Sequence, residues 1–245
     1  MIPKIIHYCW FGRNEKPLEV KKCINSWKKI LPDYQIIEWN EENFDISNNL
    51  YAEEAYRNRK YAFVSDVARV YALINLGGIY LDTDVEVYRS FDEILEKHCV
   101  FGFEYKNWIA TSFMAAEKGH PLMLEFFSQY QKIGFNINST ELNMETNVQK
   151  ITRILEEKGL IRDNSYQELD DDIVVYPKEY FSPYDYGNCV LEKTEKSICV
   201  HHFFVSWLPW QEQVKKKGKK LLVKFIGKNN LVKLRNKIRH QNEVE

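Results

Sequence analysis

The stretch GGIYLDTDVEV, residues 77–87, sets Asp82 and Asp84 directly after an apolar run with a single threonine between them. Carboxylates so close repel each other unless a metal ion, a nearby arginine or water lies between them. Residues i and i+2 of an extended segment point the same way, so the pair is expected to converge on one ligand. Hard carboxylate oxygens suit Mg²⁺ or Mn²⁺, ions that commonly share their coordination with phosphate oxygens. The same spacing recurs at Asp170 and Asp172 in LDDDI, where it reads as a solvated turn with no assigned role. Spacing alone therefore does not define a site, and the residues around it must.

The preceding segment supplies them. Asp66 and Arg69, in SDVAR, are three apart on one flank of a predicted helix. An internal i,i+3 ion pair accounts for that spacing. The helix also leads through Gly77-Gly78 into the segment carrying Asp82, which would bring Asp66, Arg69 and Asp82 to one cleft. At the edge of a diphosphate site, the acid can bind sugar hydroxyls while the guanidinium adds charge and planar donors.

Positioning these groups requires an α/β scaffold. KIIHYCW reads as a first strand and YQIIEW as a second, with a helix at LEVKKCINSWKKIL between them whose Val20, Ile24 and Trp27 share a face. Residues 61–76 form the clearest helix, with a stripe of Phe63, Val67, Val70 and Ile74, and Gly77-Gly78 stops it. IYL is a short buried strand ending at Asp82. Further strands are predicted at 99–103, 109–116, 173–176 and 198–202, and helices near 120–132 and 145–158. Alternating strands and helices imply a mostly parallel sheet covered on both faces, with ligands at the carboxyl ends of its strands.

Composition narrows the class. The 245 residues are 44% hydrophobic and 28% charged, which suits a globular domain with a real core. No apolar run approaches the ~20 residues of a membrane span. Lys4 and His7 interrupt the N-terminal apolar segment, which does not suit a secretory signal. Cys9, Cys23, Cys99, Cys189 and Cys199 form no C-x-x-C pair and read as buried thiols of a reduced compartment, so the expected address is the cytoplasm. Residues 211–245 hold eleven Lys and Arg against three Glu, whereas the chain as a whole carries −1. Leu221, Leu222, Phe225, Leu231, Leu234 and Ile238 recur there at helical spacing. Two readings stand: a peripheral helix pair on an anionic membrane surface through residues 211–240, or a C-terminal helix packed on the domain. Nucleic acid is a poor partner, because the body is acidic and the tail has no interleaved aromatics beyond Phe225.

IPKIIHYCWFG, AFVSDVARVYALINLGGIYLDTDVEV and VHHFFVSW occur in the order found in glycosyltransferase family 32, whose members carry a D-x-D sugar-binding motif; the chain resembles that family from residue 2 to about 210. The resemblance implies a GT-A fold over 1–210 with the tail at 211–245 as an appendage. It implies a nucleotide-sugar donor (a UDP-sugar by family frequency), Mn²⁺ or Mg²⁺, and a glycan or lipid-linked saccharide acceptor in surface polysaccharide (capsule) assembly, with the anomeric configuration retained. By position, Trp10 matches the aromatic that stacks on the base, although an indole there also suits the core. Asp66 and Arg69 match residues that hold the donor sugar. Asp82 matches the acid contacting sugar or ribose and, through water, the metal, and Asp84 the direct metal ligand. His201, in preference to His202, matches the residue completing the metal site. Ser206 and Trp207 match the pair that reaches the departing diphosphate, and Val205 stands where relatives often have a small residue. Asn147 is the β-face candidate by the same analogy, although a helix N-terminal position explains it equally well. Front-face substitution assisted by the leaving phosphate follows from the family alone.

Two other classes share part of the pattern. Haloacid dehalogenase-like phosphatases also follow an apolar strand with D-x-D-x-V, but there the motif ends the first strand of the domain, and Trp10, Asp66 and Arg69 would have no role. A non-catalytic sugar-nucleotide-binding protein would keep the fold without turnover, and the intact Asp82 and Asp84 argue against it.

Overall fold

The computed structural model describes residues 1–204, apart from 132, 137 and 139–141, together with Gly218. The first half of the chain alternates as its periodicity requires: β1 (Ile5–Cys9), α1 (Leu18–Ile30), β2 (Gln35–Trp39), α2 (Leu50–Arg57), α3 (Tyr61–Leu76), β3 (Gly78–Leu81) and β4 (Val85–Val87). There follow β5 (Cys99–Gly102), β6 (Phe113–Ala116), α4 (Pro121–Gln131), α5 (Asn147–Glu157), β7 (Gln167–Leu169), β8 (Ile173–Tyr176), α6 (Lys178–Phe181), β9 (Tyr184–Asp185), β10 (Val190–Leu191) and β11 (Cys199–His201).

Seven strands form the central sheet in the order β2-β1-β3-β6-β5-β8-β7. β1 pairs parallel with β2 and β3, and β5 with β8, while β6 and β7 run antiparallel to their neighbours. Five strands thus share one direction, the mostly parallel α/β sheet that the alternation of strands and helices predicts. β4 leaves it to pair antiparallel with β11.

Side chains alternate across the sheet and fill two cores. Tyr80, Cys99, Phe101, Met114 and Ala116 face the layer built by α2–α5, whereas Ile79, Leu81, Val100, Phe113 and Ala115 face Val20, Ile24 and Trp27 of α1 and Phe181 of α6. α3 is buried on most of its circumference, so its polar Asp66 and Arg69 must find partners inside. The stop after it is steric as well as conformational. Gly77 and Gly78 have φ of 65° and 110°, and a Cβ on Gly78 would lie 2.6 Å from the Ile5 carbonyl oxygen.

The segment 109–116 is strand only from Phe113 onward. Ile109 makes an isolated bridge to Phe103, and Thr111-Ser112 bend so that their carbonyls point into the site. The helix α2 was not predicted. It is short, but Asn49 caps it through the Ala52 N–H, and Tyr51, Ala52 and Ala55 are buried. All five cysteines are buried and unpaired. Among the described residues no helix is long and apolar enough to cross a membrane. Ser206, Trp207 and the basic tail at 211–245, Gly218 apart, lie outside the described residues, as does the expected boundary near 210.

Candidate active site at the carboxyl edge of the sheet

Asp82 and Asp84 converge through a turn rather than along an extended segment. The Val85 N–H donates to the Asp82 carbonyl at 3.0 Å, because the chain must swing from β3 into β4, whose partner is β11 rather than the central sheet. The turn sets one oxygen of each carboxylate and one ring nitrogen of His201 within 4.8 Å of one another. Two hard oxygens and an imidazole at that spacing fit a divalent first-row cation.

Behind the turn stands Arg69. Its Nη2 lies 3.0 Å from Asp66 Oδ1 and its Nη1 3.2 Å from Asp82 Oδ1. Nη1 also donates to the Thr111 carbonyl at 2.8 Å, Nε to the Ser65 carbonyl at 3.1 Å, and the guanidinium lies 4.5 Å from the Tyr80 ring centroid. Tyr80 donates its hydroxyl to Asp82 Oδ1 at 2.9 Å. The i,i+3 pair and the predicted cleft are therefore one network. Burial pushes the Asp66 carboxyl up to about 7 although Arg69 pulls the other way, and Asn147 Nδ2 donates to its Oδ1 at 2.7 Å.

Asn147 is not the cap of α5. Thr146 fills that role, accepting from the Gln149 N–H in a capping box. Asn147 still serves the helix end, its Oδ1 accepting the Val148 N–H at 2.8 Å, while its Nδ2 reaches across to Asp66 on α3.

On the outer side, Asp84 Oδ1 lies 3.3 Å from His201 Nε2, and Asp84 Oδ2 accepts the Phe204 N–H at 2.8 Å. Burial alone would raise the Asp84 carboxyl, but His201 and the backbone donor outweigh it and hold it down at about 2. Burial likewise opposes charge on His201, and the Asp84 and Glu104 carboxylates overcome it, holding the imidazole up at about 10. A divalent cation would compete with that proton for the same groups. His202 turns away and pairs with Glu86 at 2.9 Å.

Trp10 leaves the same edge. β1 and β3 are in register at His7 and Tyr80, so Trp10 and the Asp82–Asp84 turn emerge from adjacent parallel strands. Its indole is half-buried rather than in the core, Nε1 donates to the Asn14 carbonyl at 2.7 Å, and the Lys16 ammonium lies 5.7 Å from the ring centroid. Asp170 and Asp172, by contrast, flank the turn entering β8, at the opposite edge of the parallel strands. Topology separates two motifs that spacing cannot. Three participants were missed from sequence: Tyr80, the Thr111 carbonyl and Glu104. Glu104 had a signal, since CVFGFE repeats the form of IYLD, a buried strand running out into a carboxylate.

Residues 17–101 match the family described as glycosyltransferase sugar-binding region containing DXD motif. Over 139 residues the chain is 31% identical to inositol phosphoceramide mannosyltransferase 3 of Schizosaccharomyces pombe, a match covering 55% of this chain and 39% of that protein. It is 28% identical over 225 residues to an uncharacterised glycosyltransferase of Acanthamoeba polyphaga mimivirus, covering 85% of each. Among solved structures, the PaToxG glycosyltransferase superposes with a TM-score of 0.49 at 20% identity, covering 64% of this chain and 68% of that one. With the Asp-Thr-Asp turn and the helix behind it, these matches make the chain similar to DXD-motif glycosyltransferases, the family resemblance resting on residues 17–101.

Proposed function

We propose that this protein transfers a hexose from a nucleotide-sugar, a UDP-sugar foremost, to a glycan or lipid-linked acceptor, with a divalent ion bound and with retention at the anomeric carbon. The observation that carries it is the meeting of Asp82, Asp84 and His201 within 4.8 Å beside the Asp66–Arg69 pair. Asp84 and His201 would hold Mn²⁺ or Mg²⁺ directly, with Asp82 alongside. The ion would supply positive charge at the departing diphosphate. Asp66 and Arg69 orient the sugar, and Trp10 offers an indole face to the base. Asn147 fixes Asp66 from the α5 side. Asn147 is an amide and no nucleophile, which favours front-face substitution over a covalent intermediate.

A lipid-borne acceptor gains support from the S. pombe relative, named for mannosyl transfer to inositol phosphoceramide, although the chain spans 39% of it. The basic tail would dock on an anionic cytoplasmic leaflet, placing a surface-polysaccharide enzyme beside such an acceptor. The phosphatase reading fares worse. Asp82 follows the third strand of the central sheet, and its Oδ1 is occupied by Arg69 and Tyr80 rather than offered as a nucleophile. The test is a panel of UDP- and GDP-sugars with Mn²⁺, assayed for release of the nucleoside diphosphate, beside hydrolysis of p-nitrophenyl phosphate. Metal-dependent release from one donor supports transfer. Turnover of the aryl phosphate alone would support the phosphatase.

A further inference from the structure

Glu104 stands outside the D-x-D turn and the residues that the family resemblance assigned. It lies two residues past the end of β5, and its backbone is fixed on both sides. The Phe103 N–H donates to the Tyr176 carbonyl at 2.9 Å, and the Glu104 N–H to the Trp108 carbonyl at 2.7 Å. The side chain is 12% exposed, and its Oε2 lies 3.9 Å from His201 Nδ1. That is an ion-pair distance, about 1 Å beyond a hydrogen bond. His201 Nδ1 itself is buried without a hydrogen-bond partner among the described residues. Its ring is flanked by Phe203 at 3.8 Å between centroids, and its Nε2 faces Asp84 at 3.3 Å.

A buried ring nitrogen without a partner is costly, and a buried carboxylate next to it is costly for the same reason. The Glu104 carboxylate lies within ion-pair distance of that nitrogen, so each can satisfy the other. A histidine that ligates a metal through one nitrogen needs its proton on the other, and a carboxylate behind the ring fixes both the tautomer and the ring plane.

Resting on the metal reading above, we propose that Glu104 is a positioning residue for His201. It accepts the Nδ1 proton, so that the Nε2 lone pair is presented beside Asp82 and Asp84. Glu104 makes no contact with the ion in this arrangement and acts only through the imidazole. With a cation held by Nε2, the 3.9 Å gap between Nδ1 and Glu104 would have to close by about 1 Å to make the hydrogen bond.

The test is Mn²⁺ titration of the full chain, followed by electron paramagnetic resonance of free Mn²⁺, for wild type, Glu104→Gln, Glu104→Ala, His201→Ala and the double variant Glu104→Ala/His201→Ala. Thermal unfolding of each confirms the fold. Glu104→Gln preserves shape and serves if the alanine variant unfolds. Either Glu104 substitution is expected to weaken Mn²⁺ binding by about ten- to a hundredfold, the usual effect of losing such a partner. In the His201→Ala background the same substitution is expected to change nothing. Wild-type affinity in folded Glu104→Gln would overturn the proposal. An equal loss with and without His201 would overturn it too, by making Glu104 a direct ligand or a general charge. No saturable Mn²⁺ binding by the wild type would instead remove the metal reading itself.

Discussion

Arg69 Nη1 stands 3.2 Å from Asp82 Oδ1 while the same guanidinium holds Asp66, so one buried cation balances the first carboxylate of the turn and the acid on the helix behind it. Arg69 is 5% exposed. Arg69→Met keeps the length and removes the charge, leaving Asp66 buried without its counter-ion. The expected loss of stability is about 3–5 kcal/mol, read from urea denaturation. Arg69→Lys is expected to rescue only part of it, since an ammonium cannot span both carboxylates and the Thr111 carbonyl. Wild-type stability in Arg69→Met would contradict the network.

The neighbouring positions Thr146 and Asn147 separate two roles. Thr146→Ala removes a helix cap, worth about 1 kcal/mol. Asn147→Ala removes a buried hydrogen bond to a carboxyl and is expected to cost more, about 1.5–3 kcal/mol. Chemical denaturation of both variants gives the order. A reversed order would leave Asn147 with its helix-end hydrogen bond to the Val148 N–H as its main contribution.

How legible this was depended on distance along the chain. The α3 stripe, the Gly77-Gly78 stop and the strand into Asp82 are contiguous, and local periodicity with turn chemistry yields them directly. Asp66, Arg69 and Asp82 meet because that one unit folds back on itself. The shape of the Asp82–Asp84 turn was not legible, because it depends on β4 pairing with β11 far downstream. The Thr111 carbonyl was hidden for the same reason, and the strand-to-carboxylate pattern at Glu104 says nothing of its partner His201, which lies almost a hundred residues downstream. Each reaches the site from a separate crossing of the sheet, and nothing local in their sequence says which edge they leave.

His7 gives the fold a pH dependence away from the site. Its Nε2–H donates to the Gly77 carbonyl at 2.7 Å and its Nδ1 accepts from Trp39 Nε1 at 3.1 Å, so the ring is held neutral. Burial depresses its pKa from 6.5 to about 4. The unfolded chain binds a proton more readily, so stability is full above about 6.5 and falls as pH drops toward 4. The share from this residue is on the order of 3 kcal/mol. Denaturation midpoints of wild type and His7→Gln across pH 4–7 check it. The variant is expected to be less stable at pH 7 but to show a shallower slope, and parallel curves would contradict the assignment.

Trp10 is expected to bind the nucleotide base. Base–aromatic stacking contributes ~1–3 kcal/mol in single-strand binding proteins, so Trp10→Ala should raise the nucleoside diphosphate dissociation constant about tenfold or more while the protein stays folded. Calorimetric titration with Mn²⁺ present measures it. Unchanged affinity would leave the indole as packing against Lys16 and the second core.

The central claim, that the Asp82–Asp84 turn and no other acidic turn serves nucleotide-sugar cleavage, is tested by Mn²⁺-dependent release of nucleoside diphosphate from the preferred donor, compared among wild type, Asp84→Asn and Asp170→Asn at limiting metal. Asp84→Asn is expected to lose nearly all release while unfolding normally, and Asp170→Asn, at the opposite edge of the sheet, to match wild type. Activity of Asp84→Asn within a few-fold of wild type, or an equal loss in both variants, would contradict the claim.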